Sequence, residues 1–179
     1  MSKVLCSFCG MRKDRGKEHM WPDWLLKHFG FHSMDLVGTH HALSGQIVSR
    51  RQQKAPSAVL GKVCRECNIG WMCQLESQVI PIIKALLKTP RSKSYLSQEE
   101  ASFLAVWAFK TAIVRNAATN YRQIVPPDHF RHLYEHRSIP AGIYVDLAFV
   151  DSHDGLSGLQ SKLCSVLSVK SIKAMQQKF

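Results

Sequence analysis

The chain has 179 residues, 45% of them hydrophobic and 21% charged, enough for one globular domain or a small module with a helical extension, which excludes a disordered chain. Lys and Arg outnumber Asp and Glu by 24 to 13, a formal net charge of +11 that is the electrostatic footprint of a protein with a phosphate-rich partner. The longest apolar stretches, 79–87 and 103–114, are interrupted by Pro81, Lys84 and Lys110, so no membrane-spanning helix is expected.

From the N-terminus, the first cysteine pair, Cys6/Cys9 in CSFC, is followed by the basic stretch RKDRGK and then by EHMWPDWLLKHFG. Pro22 suits the first turn of a helix that continues through Trp24–Phe29 and stops at Gly30. Residues 35–51 carry β-type residues broken by small ones, with Ser44-Gly45 as the hairpin turn. Pro56 and Ser57 mark a loop, and VLGKV leads into the second pair, Cys64/Cys67 in CREC, with Asn68 directly after it. Beyond Cys67, Trp71, Leu75 and Val79 recur at helical spacing, with a kink or break expected at Pro81. Ser97 followed by Gln98, Glu99 and Glu100 reads as an N-cap with first-turn acids. It opens a long helix through about Arg115 with Leu104, Trp107, Ala108, Thr111 and Val114 on one face. PPDHFRHLYEHR reads as a further helix, GIYVDLAFV as a strand near 142–150, and the remainder is ambiguous.

The cysteine spacing carries the strongest chemical signal. Zn²⁺ takes four ligands at tetrahedral corners, and two residues between paired cysteines let both sulfurs reach one ion without strain. The opening MSKVL is too short and too polar for a secretory signal, so the expectation is a cytoplasmic chain whose paired cysteines bind metal rather than each other. Cys6, Cys9, Cys64 and Cys67 are therefore expected to share one structural Zn²⁺, which has no open position for a substrate. Cys73 and Cys164 lack such partners and read as small buried residues, as the four tryptophans read as core. His129, His132 and His136 have helical spacing without carboxylates to complete a metal site, so a surface role is expected.

Together, CSFC, EHMWP and CRECNIGW resemble the His-Asn-His (HNH) endonuclease family, in the version whose ββα-metal core is clamped by a four-cysteine zinc. LAVWAFKTAIV and VPPDHFRHLYEHRSIP resemble the helical extension of a bacterial and phage subgroup of that family. The resemblance implies an α+β fold, with a zinc-stapled ββα-metal module over 1–88 and a mainly helical extension over 89–179. It implies a metal-dependent endonuclease that hydrolyses phosphodiester bonds in DNA, with RNA left open. Residue by residue, Glu18 would be the acidic ligand of a catalytic Mg²⁺ or Mn²⁺, His19 the general base, Pro22 the motif proline and Asn68 the second metal ligand. Those residue types suit phosphodiester hydrolysis, since a neutral histidine takes a proton from water and carboxylate and amide oxygens suit a hard cation. Adjacent residues on an extended segment point opposite ways, so Glu18 is expected to face the metal and His19 the water. The chain departs from the family at two points. SAVLGKV stands where a middle Asn or His would orient the base, leaving His40, His41 or Gln46 as substitutes, and Met72 stands where many relatives have a further metal-binding histidine. Glu76 shares a helix face with Asn68 and is expected to be a solvated acid or a hydrogen-bond partner of the zinc loop. Arg12, Lys13, Arg15 and Lys17 are the first candidates for nucleic-acid contact. A homodimer is compatible with this reading, since nucleases that cut both strands often act in pairs. The alternative is a zinc-stabilised module that binds nucleic acid without cleaving it.

Overall fold

The two cysteine pairs each sit in a tight reversal of the chain. In the computed structural model, which describes residues 2–42, 44–88, 95–119 and 125–146, strands β1 (Lys3–Leu5) and β2 (Arg12–Asp14) pair antiparallel around the first pair. The loop between them is closed by the N–H of Cys6 on the carbonyl of Met11 and the N–H of Gly10 on that of Cys6, both at 3.0 Å. Gly10 has φ +69°, a left-handed conformation that costs little without a Cβ.

Strand β3 (Glu18–His19) pairs antiparallel with β6 (Val59–Leu60), placing Glu18 opposite Leu60 and His19 opposite Val59. Helix α1 (Asp23–His28) and a hairpin of β4 (Asp35–His41) and β5 (Ile47–Lys54) fill the interval. Pro22 caps α1 and Gly30, at φ +71°, follows its end, as the sequence predicts. The hairpin turns at Ser44-Gly45, also as predicted, with the N–H of Ala42 on the carbonyl of Gln46 at 2.8 Å.

After β6 the second cysteine pair opens a single helical turn, α2 (Arg65–Cys67), which a wide turn over Asn68–Met72 joins to α3 (Cys73–Lys88). Gly70 leaves helical angles there (φ −88°, ψ −111°), so the chain bends just after Asn68. Of the kink or break expected at Pro81, the break is absent: α3 runs through it. Proline removes one backbone bond, to the carbonyl of Ser77. Pro81 and Ser77 both face solvent, where water satisfies that carbonyl, while Val79, Ile82 and Ile83 anchor the opposite face.

Helix α4 (Gln98–Thr119) begins with a reciprocal capping box: the Glu100 N–H donates to Ser97 Oγ (3.1 Å) and the Ser97 N–H to Glu100 Oε2 (2.8 Å). Leu104, Trp107 and Ala108 pack with Leu25, Leu26, Val79 and Ile83, whereas Val106, Phe109, Ile113 and Val114 pack with Phe8, Val63, Met72 and Phe130. One helix thus divides the interior into two apolar clusters, and it is apolar on more sides than a single face requires. Helix α5 (Pro127–His136) closes the second cluster with Phe130 and Leu133. The predicted division near 88/89 and most of the strand predicted near 142–150 lie outside the described residues, and 142–146 form no strand.

The approach of β3 to the second cysteine pair depends on Gly16. Its N–H donates to the carbonyl of Val63 at 2.7 Å, and a Cβ at this position would lie 2.9 Å from the Cys64 carbonyl oxygen, closer than such contacts allow. Gly16→Ala is expected to destabilise the fold by about 1–3 kcal/mol, the usual range for overpacking. Urea unfolding of the metal-loaded chain measures this, and an unchanged midpoint would remove the close approach from the argument.

Candidate functional site

Sequence distance between the cysteine pairs disappears in the fold. The sulfurs of Cys6, Cys9, Cys64 and Cys67 all lie within 4.8 Å of one another, with Cys9 and Cys64 at 3.8 Å. A tetrahedral zinc with bonds of about 2.3 Å requires sulfur–sulfur edges of roughly 3.8 Å, so the cluster fits one ion. Cys6, Cys64 and Cys67 are buried and Cys9 is partly exposed. Backbone N–H groups already aim at the sulfurs: Cys64 donates to Cys6 Sγ and Cys67 to Cys64 Sγ, each at 3.4 Å. The hydrogen bond with Cys67 holds the Cys6 thiol down at about 4 against the opposing effect of burial, with help from the N–H groups of Cys64, Cys9 and Phe8. The same bond and burial push Cys67 up, and burial raises Cys64. A metal ion bound there would displace the thiol protons, since the ligands must be thiolates. Cys73 is exposed, not buried as predicted, because it begins α3 on the solvent side beyond the Gly70 bend. Cys164 lies outside the described residues.

Directly beside this cluster is a cleft of about 340 Å³ lined by Lys17, Glu18, His19, Pro22, Trp24, Asn68, Met72 and Glu76, among others. Strand β3 supplies Glu18 and His19, the residue after Cys67 supplies Asn68, and α3 supplies Glu76. The fold therefore brings together Glu18, His19, Pro22 and Asn68. Glu18 is only 5% exposed, while His19 is half-buried. The two are adjacent on β3 and both line the cleft, Glu18 as the more buried of the pair. There Asn68 Nδ2 donates to Glu18 Oε2 at 2.6 Å and to the carbonyl of Lys17 at 3.3 Å.

Sequence reasoning missed the partner of the other carboxylate oxygen. Lys110, from α4, is 1% exposed and donates to Glu18 Oε1 at 2.6 Å and to Glu76 Oε1 at 3.0 Å. Burial by itself would favour loss of its proton, but the charges of Glu18 and Glu76, with their hydrogen bonds, outweigh it and raise the pKa above the ordinary lysine value. Glu76 is thus neither a solvated acid nor a zinc-loop partner, because its carboxylate accepts a hydrogen bond from the buried ammonium of Lys110. The available signal was a lone lysine amid LAVWAFKTAIV, which the chain pattern showed only as an interruption.

Asp23, also on the cleft lining, accepts from Lys27 (2.6 Å) and His32 (3.0 Å), and its carboxyl is held below the usual range, first by the bond from Lys27 and further by the charge of that lysine. Of the residues considered as orienters of His19, Gln46 is exposed at the hairpin turn, and His40 and His41 lie on β4 at the end away from the Asp35–Lys54 pair that begins the hairpin. Arg12, Arg15 and Lys17 are exposed, while Lys13 is paired with Glu66, across the two cysteine loops. The rings of His132 and His136 lie 4.6 Å apart on α5, and among the described residues only the four cysteines form a group with metal-ligand geometry. No helix among the described residues is long and apolar enough to cross a membrane.

No family model, curated protein or solved structure matches this chain. Its class is therefore defined by its own architecture: a mixed α and β protein with a four-cysteine cluster close enough to hold one metal ion, beside a cleft of ionisable side chains.

Cys64→Ser is expected to abolish binding of about one zinc per chain and, since metal binding is folding free energy at such sites, to remove the cooperative thermal transition of the N-terminal half. Cys73→Ser should keep both. Metal content by mass spectrometry with parallel melting curves checks the pair. Zinc affinity should fall with falling pH, because the ligands must be thiolates, and a pH-independent affinity would contradict thiolate ligation.

Proposed function

We propose that the protein is a metal-dependent endonuclease of the HNH type, hydrolysing phosphodiester bonds in DNA, with His19 as general base and Glu18 and Asn68 as the residues that would hold a catalytic Mg²⁺ or Mn²⁺. The observation that carries this reading is the convergence of Glu18, His19 and Asn68 on one cleft although 50 positions separate Glu18 from Asn68. The antiparallel β3–β6 pair followed by a helix beginning at the second cysteine pair supports a ββα arrangement around the cleft. The four-cysteine cluster supports it further, since a zinc shared by it would tie the start of the β3 segment to the start of the helical segment.

The donor set is compatible with a hard cation. Each carboxylate oxygen of Glu18 accepts one hydrogen bond and retains a lone pair, and the amide of Asn68 supplies an oxygen beside its donating nitrogen. When bound, such a cation supplies Lewis-acid stabilisation of the charge that builds on the phosphate and leaving oxygen. His19, half-buried on the cleft wall, takes the proton from the attacking water. Lys17, exposed on the lining, binds a phosphate oxygen, and the exposed Arg12 on β2 and Arg15 just after it extend the basic surface. Lys13 is less available for that role, being paired with Glu66.

A second reading, a zinc-stabilised module that binds nucleic acid without cutting it, is favoured by one observation: both oxygens of Glu18 are already engaged, by Lys110 and Asn68. The two readings divide on His19→Ala. Under the nuclease reading this variant lowers nicking of supercoiled plasmid in Mg²⁺ or Mn²⁺ by about 10²–10⁴-fold, the usual contribution of a general base, with salt-sensitive DNA binding retained. Wild type that binds DNA in a salt-dependent manner but never nicks it, with either cation, moves the assignment to the binding module.

A further inference from the structure

The proposed chemistry gives Lys110 no role, yet its position is costly. Among the described residues it and Glu18 are the buried charged side chains, and it projects from a helix whose neighbouring positions Val106, Phe109, Ile113 and Val114 are all buried in apolar packing. A methionine or leucine would suit that helix, and replacing a buried ion pair by apolar groups is often neutral or stabilising. Fold stability alone therefore gives a weak reason for an ammonium here. Its surroundings give a stronger one: the Nζ lies between Glu18 Oε1 and Glu76 Oε1, two carboxylates from different elements that both border the cleft. Without a cation between them, two converging carboxylates would repel each other or bind a divalent ion from solution.

We propose that Lys110 is a positioning residue that acts as the resident cation of the site, filling the gap between Glu18 and Glu76 so that a divalent ion is confined to the cleft side of Glu18, beside Asn68 and His19. Its purpose rests on the nuclease reading, but its effect on cation binding does not. The ammonium leaves the group of Glu18, Glu76 and Lys110 with one net negative charge instead of two. A divalent ion is then held weakly by the protein alone and more firmly once phosphate oxygens complete its coordination. The lysine also fixes the Glu18 carboxylate from the side opposite Asn68, so the carboxylate does not have to reorient when substrate arrives.

The test is Mn²⁺ binding to the zinc-loaded full chain without nucleic acid, followed by electron paramagnetic resonance, for wild type, Lys110→Met and the double variant Lys110→Met/Glu76→Gln. Lys110→Met is expected to bind Mn²⁺ at least about tenfold more tightly than wild type, because a repelling charge a few ångströms away has been removed. Its plasmid cleavage should fall, because the ion now settles between the carboxylates, away from His19. The double variant should lose the gain in affinity, since the gap then has only one carboxylate. A lysine that only paired these carboxylates, without confining the ion, would give the same gain with no fall in cleavage. If Lys110→Met does not fold by itself, Mn²⁺ should restore its cooperative melt. Unchanged or weaker Mn²⁺ affinity in a folded Lys110→Met, a gain that persists without Glu76, or a chain that Mn²⁺ fails to restore would each overturn the proposal. Failure of the nuclease reading shows separately, as absence of wild-type cleavage, while the Mn²⁺ comparison still decides the role of Lys110.

Discussion

A single ammonium buried between two carboxylates sets the geometry of the cleft. Lys110 stays charged in an apolar interior because Glu18 and Glu76 reach it, and their attraction outweighs the desolvation that would otherwise favour loss of its proton. This requirement fixes three elements relative to one another: β3 through Glu18, α3 through Glu76 and α4 through the lysine itself. Removing Lys110 would leave the buried Glu18 carboxylate without its countercharge, which typically costs about 3–5 kcal/mol. The side chains at the cleft floor therefore form a unit in which no member moves independently.

The cysteine cluster and the ammonium act at opposite ends of the same short segments. Between Cys64 and Glu76 the chain passes from a member of the cysteine cluster, through Asn68 and the Gly70 bend, to the carboxylate on Lys110. Between Cys9 and Glu18 it passes along β2 and the glycine that lies against Cys64. Both segments are held at one end by sulfur and at the other by charge, and the cleft lies along them. With four sulfur ligands, a zinc ion there would be coordinatively closed, so its contribution to the cleft is placement rather than chemistry.

Helix α4 connects the helical half to this arrangement. Its apolar residues serve both clusters, and its one buried charge reaches the floor of the cleft. A helix apolar on nearly all sides must lie in the interior, and from there it meets both β6 and α3. The hairpin of β4 and β5 contrasts with it: β5 is exposed along most of its length, and Arg50 and Arg51 face solvent on it. The interior therefore carries the polar network, and the exposed ribbon carries part of the excess basic charge.

Local rules made several features legible in the sequence. The cysteine spacing announced one four-sulfur cluster, because two intervening residues are what a metal knuckle needs. Pro22 and Gly30 bounded α1, Ser97 with Glu100 began α4, and Ser44-Gly45 turned the hairpin, each through chemistry contained within a few residues. The order Glu18, His19, Pro22, Asn68 pointed to residues that the fold gathers at one cleft. Tertiary structure alone decided the rest. Pro81 stays within a helix because its face meets solvent, and Cys73 is exposed because the chain bends before it. Lys110 finds two carboxylates 92 and 34 positions away, and Glu76 changes from an apparent surface acid to the counter-charge of a buried ammonium. Pairing at such separations depends on which faces the apolar clusters leave open, and no periodicity or spacing along the chain encodes it.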